Sequence, residues 1–143
     1  MTTVVFRNGV MAGDTAIFDR GTYCGEAHKV FRNDRGALLG VCGCMSAMAQ
    51  LRDWFLAGAE GEPPELKDED SEGLLVRADG VVEWIGAGRK RIEMAGEFFA
   101  IGSGFHVAMG ALAAGATARR AAEIACDLDS KTRRPIDVVS AEC

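Results

Sequence analysis

The chain has 143 residues, 48% hydrophobic and 26% charged, an ordinary composition for a soluble globular protein and a length that reads as one domain over residues 1–143. A formal net charge of −5 argues against nucleic acid or an anionic membrane as a partner. No apolar run approaches the roughly 18–20 residues of a membrane span, and a signal peptide's basic and apolar regions are missing at the N-terminus, so the expected location is cytoplasmic.

Residues 2–7 and 10–14 read as two strands joined at Asn8-Gly9, a strong hairpin signal. Residues 16–27 are small and polar and read as irregular. A short strand over 28–32, a turn over 33–36 and a buried apolar strand over 37–42 follow. Ser46 is the expected N-cap of a helix reaching about residue 59, with Met48, Leu51, Trp54 or Phe55 and Ala59 at helical spacing on a face that reads as core.

Residues 60–72 form the one obvious loop, with Pro63-Pro64 and seven acidic residues against a single Lys67. A solvated connector is the favoured reading, and a docking surface for a basic partner is the alternative. Residues 74–78 and 81–85 make a second hairpin on Asp79-Gly80. Residues 86–91 read as a basic turn with solvated charge, and a ligand or partner loop is the alternative. A strand over 98–101 runs into Gly102-Ser103-Gly104, then come a small-residue helix over 105–114, a helix over 118–128 capped by Thr117, and a closing strand over 137–140. Segregated strand and helix runs predict an α+β fold rather than alternating βαβ units.

Five cysteines, Cys24, Cys42, Cys44, Cys126 and Cys143, suggest no disulfide framework. They read as reduced thiols. With only His28 and His106 beside them, neither a metal site nor any cofactor is expected.

The residues that carry chemistry begin at Thr2. A methionine ahead of a small residue is commonly trimmed, and terminal threonine then holds a hydroxyl nucleophile and an α-amine base on one residue. A retained Met1 would block that amine. Taken with Asp14 and Lys29, the chain resembles the proteasome β-type peptidases, most closely those of the HslV kind. The matching pieces are Thr2-Thr3-Val4-Val5, Ala12-Gly13-Asp14, His28-Lys29-Val30, Leu39-Gly40-Val41-Cys42-Gly43, Ala100-Ile101-Gly102-Ser103-Gly104 and Asp129-Ser130-Lys131-Thr132. Their order spans nearly the whole chain.

This resemblance implies an N-terminal-nucleophile hydrolase fold, an αββα sandwich reduced by one helix in one outer layer, because a second helix after residue 59 is missing. The sheet face left uncovered must then be polar or buried against another subunit. The resemblance also implies peptide hydrolysis with Thr2 as nucleophile. Lys29 would favour its alkoxide, Asp14 would hold Lys29, Gly40 would donate to the oxyanion, and Ser103 and Asp129 would bond the terminal amine. Thr132 stands where the family has a serine. Ala27, Leu38 and Cys42 would line the specificity pocket and imply modest apolar substrate side chains.

The resemblance further implies a homo-oligomer and an ATP-dependent unfoldase as a partner. That unfoldase would be a separate chain, since no motif here binds nucleotide. A catalytically inactive proteasome-like assembly protein and a small-molecule amidase are the alternatives. Strand alternation adds a geometric condition. A two-residue Asn8-Gly9 turn pairs Thr2 with Thr15 and turns Asp14 to the other face, so the catalytic reading is expected to require a bulged three-residue turn over Arg7-Asn8-Gly9.

Overall fold

The computed structural model describes residues 2–141. In chain order the first strands are β1 (Thr3–Arg7), β2 (Val10–Asp14), β3 (Ala16–Asp19), β4 (Thr22–Glu26), β5 (Val30–Arg32) and β6 (Leu38–Cys42). Helix α1 (Met45–Leu56) follows, then β7 (Glu72–Val76), β8 (Val82–Gly86), β9 (Lys90–Met94) and β10 (Phe98–Gly102). The chain closes with α2 (Phe105–Ala113), α3 (Ala118–Leu128) and β11 (Ile136–Ser140). A four-stranded sheet runs β10-β1-β2-β11, a five-stranded sheet runs β5-β6-β7-β8-β9, and β3 and β4 form a separate pair. Every strand pairing is antiparallel.

Three apolar clusters show how these parts stack. Val4 and Met11 of the first sheet pack with Leu38, Leu74 and Val82 of the second, so one core lies between the sheets. On the other face of the first sheet, Val5 and Ala12 meet Ala108 and Leu112 of α2 and Ala121 and Ala122 of α3. The small residues of α2 and α3 let both helices approach that sheet closely. Helix α1 lays Ala47, Leu51 and Phe55, spaced four apart on one stripe, against Leu39, Leu75 and Ile85 of the second sheet.

Alternation extends the Leu75 and Ile85 face to their cross-strand partners Glu83 and Arg91. There Glu83, only 3% exposed, accepts from Arg77 Nε at 2.8 Å and Arg91 Nε at 2.9 Å, and Arg77 also reaches Glu93. The sheet surface beyond α1 is therefore polar, closed by an ion-pair network rather than by a helix.

Four expectations need correction. Residues 16–27 form the β3–β4 hairpin, and residues 90–94 form an edge strand that takes in the last two residues of the expected 86–91 turn. Strands β4 and β9 are largely exposed, so neither shows the apolar alternation that marks a half-buried strand. Helix α1 starts at Met45 with Cys44 as its N-cap, not at Ser46. The first hairpin is also not bulged: Arg7 pairs with Val10 across a plain two-residue turn in which Asn8 and Gly9 have φ of 51° and 76°, the type I′ geometry that suits strand twist. No helix among the described residues is long and apolar enough to cross a membrane.

Candidate active site

Thr2 lies one residue before β1, buried at the end of the first sheet. Lys29 lies one residue before β5, where its carbonyl accepts from Val41 N–H at 2.9 Å. Its side chain is 1% exposed and crosses between the sheets to the start of β1. Lys29 Nζ donates to Thr2 Oγ1 at 3.1 Å, to Asp14 Oδ1 at 3.1 Å and to the Ala16 carbonyl at 2.5 Å. Asp14 also accepts from Thr3 N–H at 3.0 Å and from the N–H groups of Ala16 and Arg133, each at 3.3 Å. Burial pushes the Asp14 carboxyl above its ordinary value, and the Lys29 charge and the Thr3 and Arg133 N–H groups only partly offset it.

This cluster forms without the bulge that alternation predicts. The register implied by Val4↔Gly13 puts Thr3, not Thr2, opposite Asp14. Alternation fixes where each Cβ points, but the four-carbon stem of Lys29 reaches around the strand ends and bonds both faces at once. The alternation argument fails here because the bridging atom belongs to Lys29, which enters from the segment just before β5.

A second set of groups holds the backbone of Thr2. Its N–H donates to Ser103 Oγ at 3.2 Å, and Ser103 Oγ lies 2.9 Å from Asp129 Oδ2. Thr132 Oγ1 donates to the same carboxylate oxygen at 2.5 Å and lies 2.7 Å from Thr3 Oγ1. Ser103 comes from the turn between β10 and α2, and Asp129 is the C-cap of α3. Two helices and the central sheet thus converge on one residue.

Thr2, Cys42, Gly43 and Ser103 line one end of a cleft of about 620 Å³. Ile17, Phe18, Met45 and Met48 supply apolar lining, and Asp68, Asp70 and Glu72 bring the acidic loop into it, with Glu72 directly across the sheet from Cys42. Of the residues read as pocket lining, Cys42 is in this wall. Burial holds its thiol well above its ordinary pKa, with Glu72 adding to the effect, so at neutral pH it is an uncharged, weakly nucleophilic group. Leu38 is instead fully buried in the core between the sheets, and Ala27 is exposed and outside the lining. Both departures follow from the strands: Leu38 sits four residues from the cleft end of β6, and Ala27 lies just past β4, its N–H bonded to the Thr15 carbonyl.

Gly40 is likewise placed elsewhere. It sits in mid-β6 between Val30 and Leu74, where an added Cβ would come 2.2 Å from Val4 Cγ1. Its lack of a side chain serves sheet-to-sheet packing, not a cleft. The glycine of this run that does line the cleft is Gly43, with φ of 117° and space for an added Cβ closed by Ser71 Oγ at 2.2 Å. Among the described residues no hydrogen bond from the Gly43 N–H is formed. Sequence reasoning passed over it, although a glycine between the end of a buried strand and the start of a helix was the available signal.

No family model and no curated protein matches this chain. Solved structures do. It is similar to Thiobacillus denitrificans BPH in complex with epoxomicin, with TM-score 0.67, 19% identity and 99% of each chain covered. A second structure of Thiobacillus denitrificans BPH matches with TM-score 0.67 and 19% identity over 99% of this chain and 98% of that one. The crystal structure of eukaryotic HslV from Trypanosoma brucei matches with TM-score 0.67 and 20% identity over 97% of this chain and 98% of that one. The chain therefore has the fold of the HslV-like peptidases over nearly its whole length.

Proposed function

We propose that the protein is a proteasome-like threonine peptidase, a single domain over residues 1–143 that becomes active when Met1 is removed and Thr2 is the chain terminus. One observation carries the reading: Thr2 presents its hydroxyl to Lys29 Nζ at 3.1 Å and its nitrogen to Ser103 Oγ at 3.2 Å, in the wall of a cleft of about 620 Å³. Lys29, held against Asp14, lowers the cost of alkoxide formation. Ser103, Asp129 and Thr132 orient the α-amine and set its protonation. Gly43 takes the oxyanion role in place of Gly40, a contribution of about 3–4 kcal/mol in such sites.

The steps balance on these groups. Thr2 Oγ1 attacks the substrate carbonyl carbon, and its proton passes to the α-amine. The C–N bond then breaks, the leaving amine takes that proton, and an acyl ester remains on Thr2. Water gives a proton to the same α-amine as it attacks the ester, the C–O bond to Thr2 breaks, and the hydroxyl is restored. Cys42, a neutral buried thiol, does not compete.

In this reading the two sheets are the inner layers of an αββα sandwich whose outer layer over the five-stranded sheet is reduced to α1. Self-association is supported by the edge strand β9, which leaves Ile92 57% and Met94 40% exposed. An ATP-dependent unfoldase would act as a separate chain. The test is hydrolysis of fluorogenic peptides by protein whose intact mass shows Met1 gone. Turnover that disappears in Thr2→Ala supports the reading. Turnover retained in Thr2→Ala, or none from the Met1-free protein, contradicts it.

A further inference from the structure

We propose that the cleft selects substrates by charge and that Glu72 is the residue that receives a basic (lysine or arginine) side chain beside the reacting bond; this rests on the peptidase reading and deepens it. Glu72 opens β7 directly opposite Cys42 of β6, and both residues lie in the wall that holds Thr2. Neighbouring strands are about 4.8 Å apart, so the carboxylate sits one strand from the residue beside the nucleophile. Glu72 Oε1 accepts from Trp84 Nε1 at 3.3 Å, and among the described residues no donor bonds its other oxygen. The carboxyl is half-buried; burial pushes its pKa up, and the Trp84 bond pulls part of that back.

The surroundings add charge of the same sign. Asp68, Glu69 and Asp70 line the same cleft, and among the described residues none of them, nor Glu72, has an ion-pair partner. Asp70 N–H bonds Asp68 Oδ1 at 2.9 Å and Ser71 N–H bonds the Asp68 carbonyl at 3.0 Å, which fixes this turn. The one arginine of the lining, Arg20, has Asp19 at 3.8 Å, and Lys29 is balanced by Asp14. The same lining also holds apolar side chains, Ile17, Phe18, Met45 and Met48. Lysine and arginine match that combination, laying an aliphatic stem on apolar surface and carrying the charge to the carboxylate. An acidic side chain meets like charge. An apolar one leaves the second Glu72 oxygen without a partner. The acidic loop that reads in sequence as a solvated connector thus becomes part of the specificity wall.

The test separates this inference from catalysis by using Thr2→Ala protein, in which no bond can be cleaved. Dye-labelled peptides that differ at one position (arginine, leucine or glutamate) are titrated against it by fluorescence anisotropy. The arginine peptide is expected to bind at least about tenfold more tightly than the leucine peptide, and the glutamate peptide most weakly. In Thr2→Ala/Glu72→Gln, which keeps the shape and an acceptor for Trp84, the arginine preference is expected to fall below about twofold. Because the readout is a ratio within one protein, a general loss of affinity cancels. Equal affinities, no measurable binding of the arginine peptide, or a preference that survives Glu72→Gln overturns the inference. Turnover by the Met1-free parent is scored separately. Cleavage without basic preference sinks the charge inference alone, and basic preference without cleavage sinks the peptidase reading alone.

Discussion

Replacing Lys29 with methionine removes one buried charge while keeping the length and stem of the side chain. Both members of the Lys29–Asp14 pair are essentially inaccessible, at 1% and 0% exposed. After the change Asp14 keeps its N–H donors from Thr3, Ala16 and Arg133 but has no countercharge. Breaking a buried pair on one side costs about 3–5 kcal/mol, and the retained N–H bonds place this case near the lower end, about 3 kcal/mol. For a chain of this size that is a fall of roughly 10 °C in Tm.

The pH dependence follows from the direction of the Asp14 shift. Its carboxyl is already raised in the folded protein, and loss of the Lys29 cation raises it further. Between the ordinary aspartate value and that raised value the folded variant binds more protons than the unfolded chain. Its stability therefore falls as pH rises through the window. The deficit against the parent should be full at neutral pH and shrink as pH drops toward the ordinary aspartate range. Adding Asp14→Asn should recover part of it, since no unpaired charge is then left. Urea unfolding followed by Trp54 and Trp84 fluorescence at two pH values measures both effects. A Lys29→Met variant within 1 kcal/mol of the parent at neutral pH would refute the reasoning (a threshold set by the roughly 3 kcal/mol estimate), as would a deficit that does not shrink in acid.

Other outcomes follow from the same contacts. Ser103→Ala removes the hydroxyl between Thr2 N and Asp129; peptide turnover should fall about 10–100-fold with stability changed by less than about 1 kcal/mol, as read from kcat and urea midpoints together. Gly40→Ala forces a Cβ to within 2.2 Å of Val4 Cγ1 and should cost about 1–3 kcal/mol by overpacking, visible as a lower urea midpoint. Glu83→Gln tests the polar face beyond α1. Burial works against the Glu83 carboxylate, but Arg91 and Arg77 outweigh it and hold its pKa below the ordinary value. Its contribution is therefore present above the ordinary glutamate range and lost as pH falls through the lower folded value. Glu83→Gln should cost about 1–2 kcal/mol at neutral pH and little in strong acid, as measured by denaturant midpoints at both.

The helices and the buried strands were legible because their apolar spacing reports directly on what they bury. Residues 118–128 and β6 are clear cases: an amphipathic stripe in one, an unbroken apolar run in the other. Strands β4 and β9 were not legible, since an exposed strand has no burial pattern to read, and β3, four residues long, is too short to show one. Thr2, Asp14, Lys29, Ser103, Asp129 and Thr132 were named from sequence and lie together in the fold. Gly40 was not at the cleft, because the same run holds two glycines and only three-dimensional packing separates the one between the sheets from Gly43 at the rim. Hairpin register also misled, for alternation describes two strands and cannot foresee a lysine arriving from the segment just before β5. Leu38 was assigned to the pocket by its position in a motif, and its burial between the sheets overrules that.

Intact mass spectrometry after treatment with a threonine-directed epoxyketone tests the central claim most directly. The account predicts a Met1-free protein that gains one inhibitor mass, with tandem spectra mapping the adduct to Thr2 and no adduct on Thr2→Ala. A Met1-free protein that stays unmodified, or an adduct that maps to Cys42 or Cys44 and persists in Thr2→Ala, would contradict it.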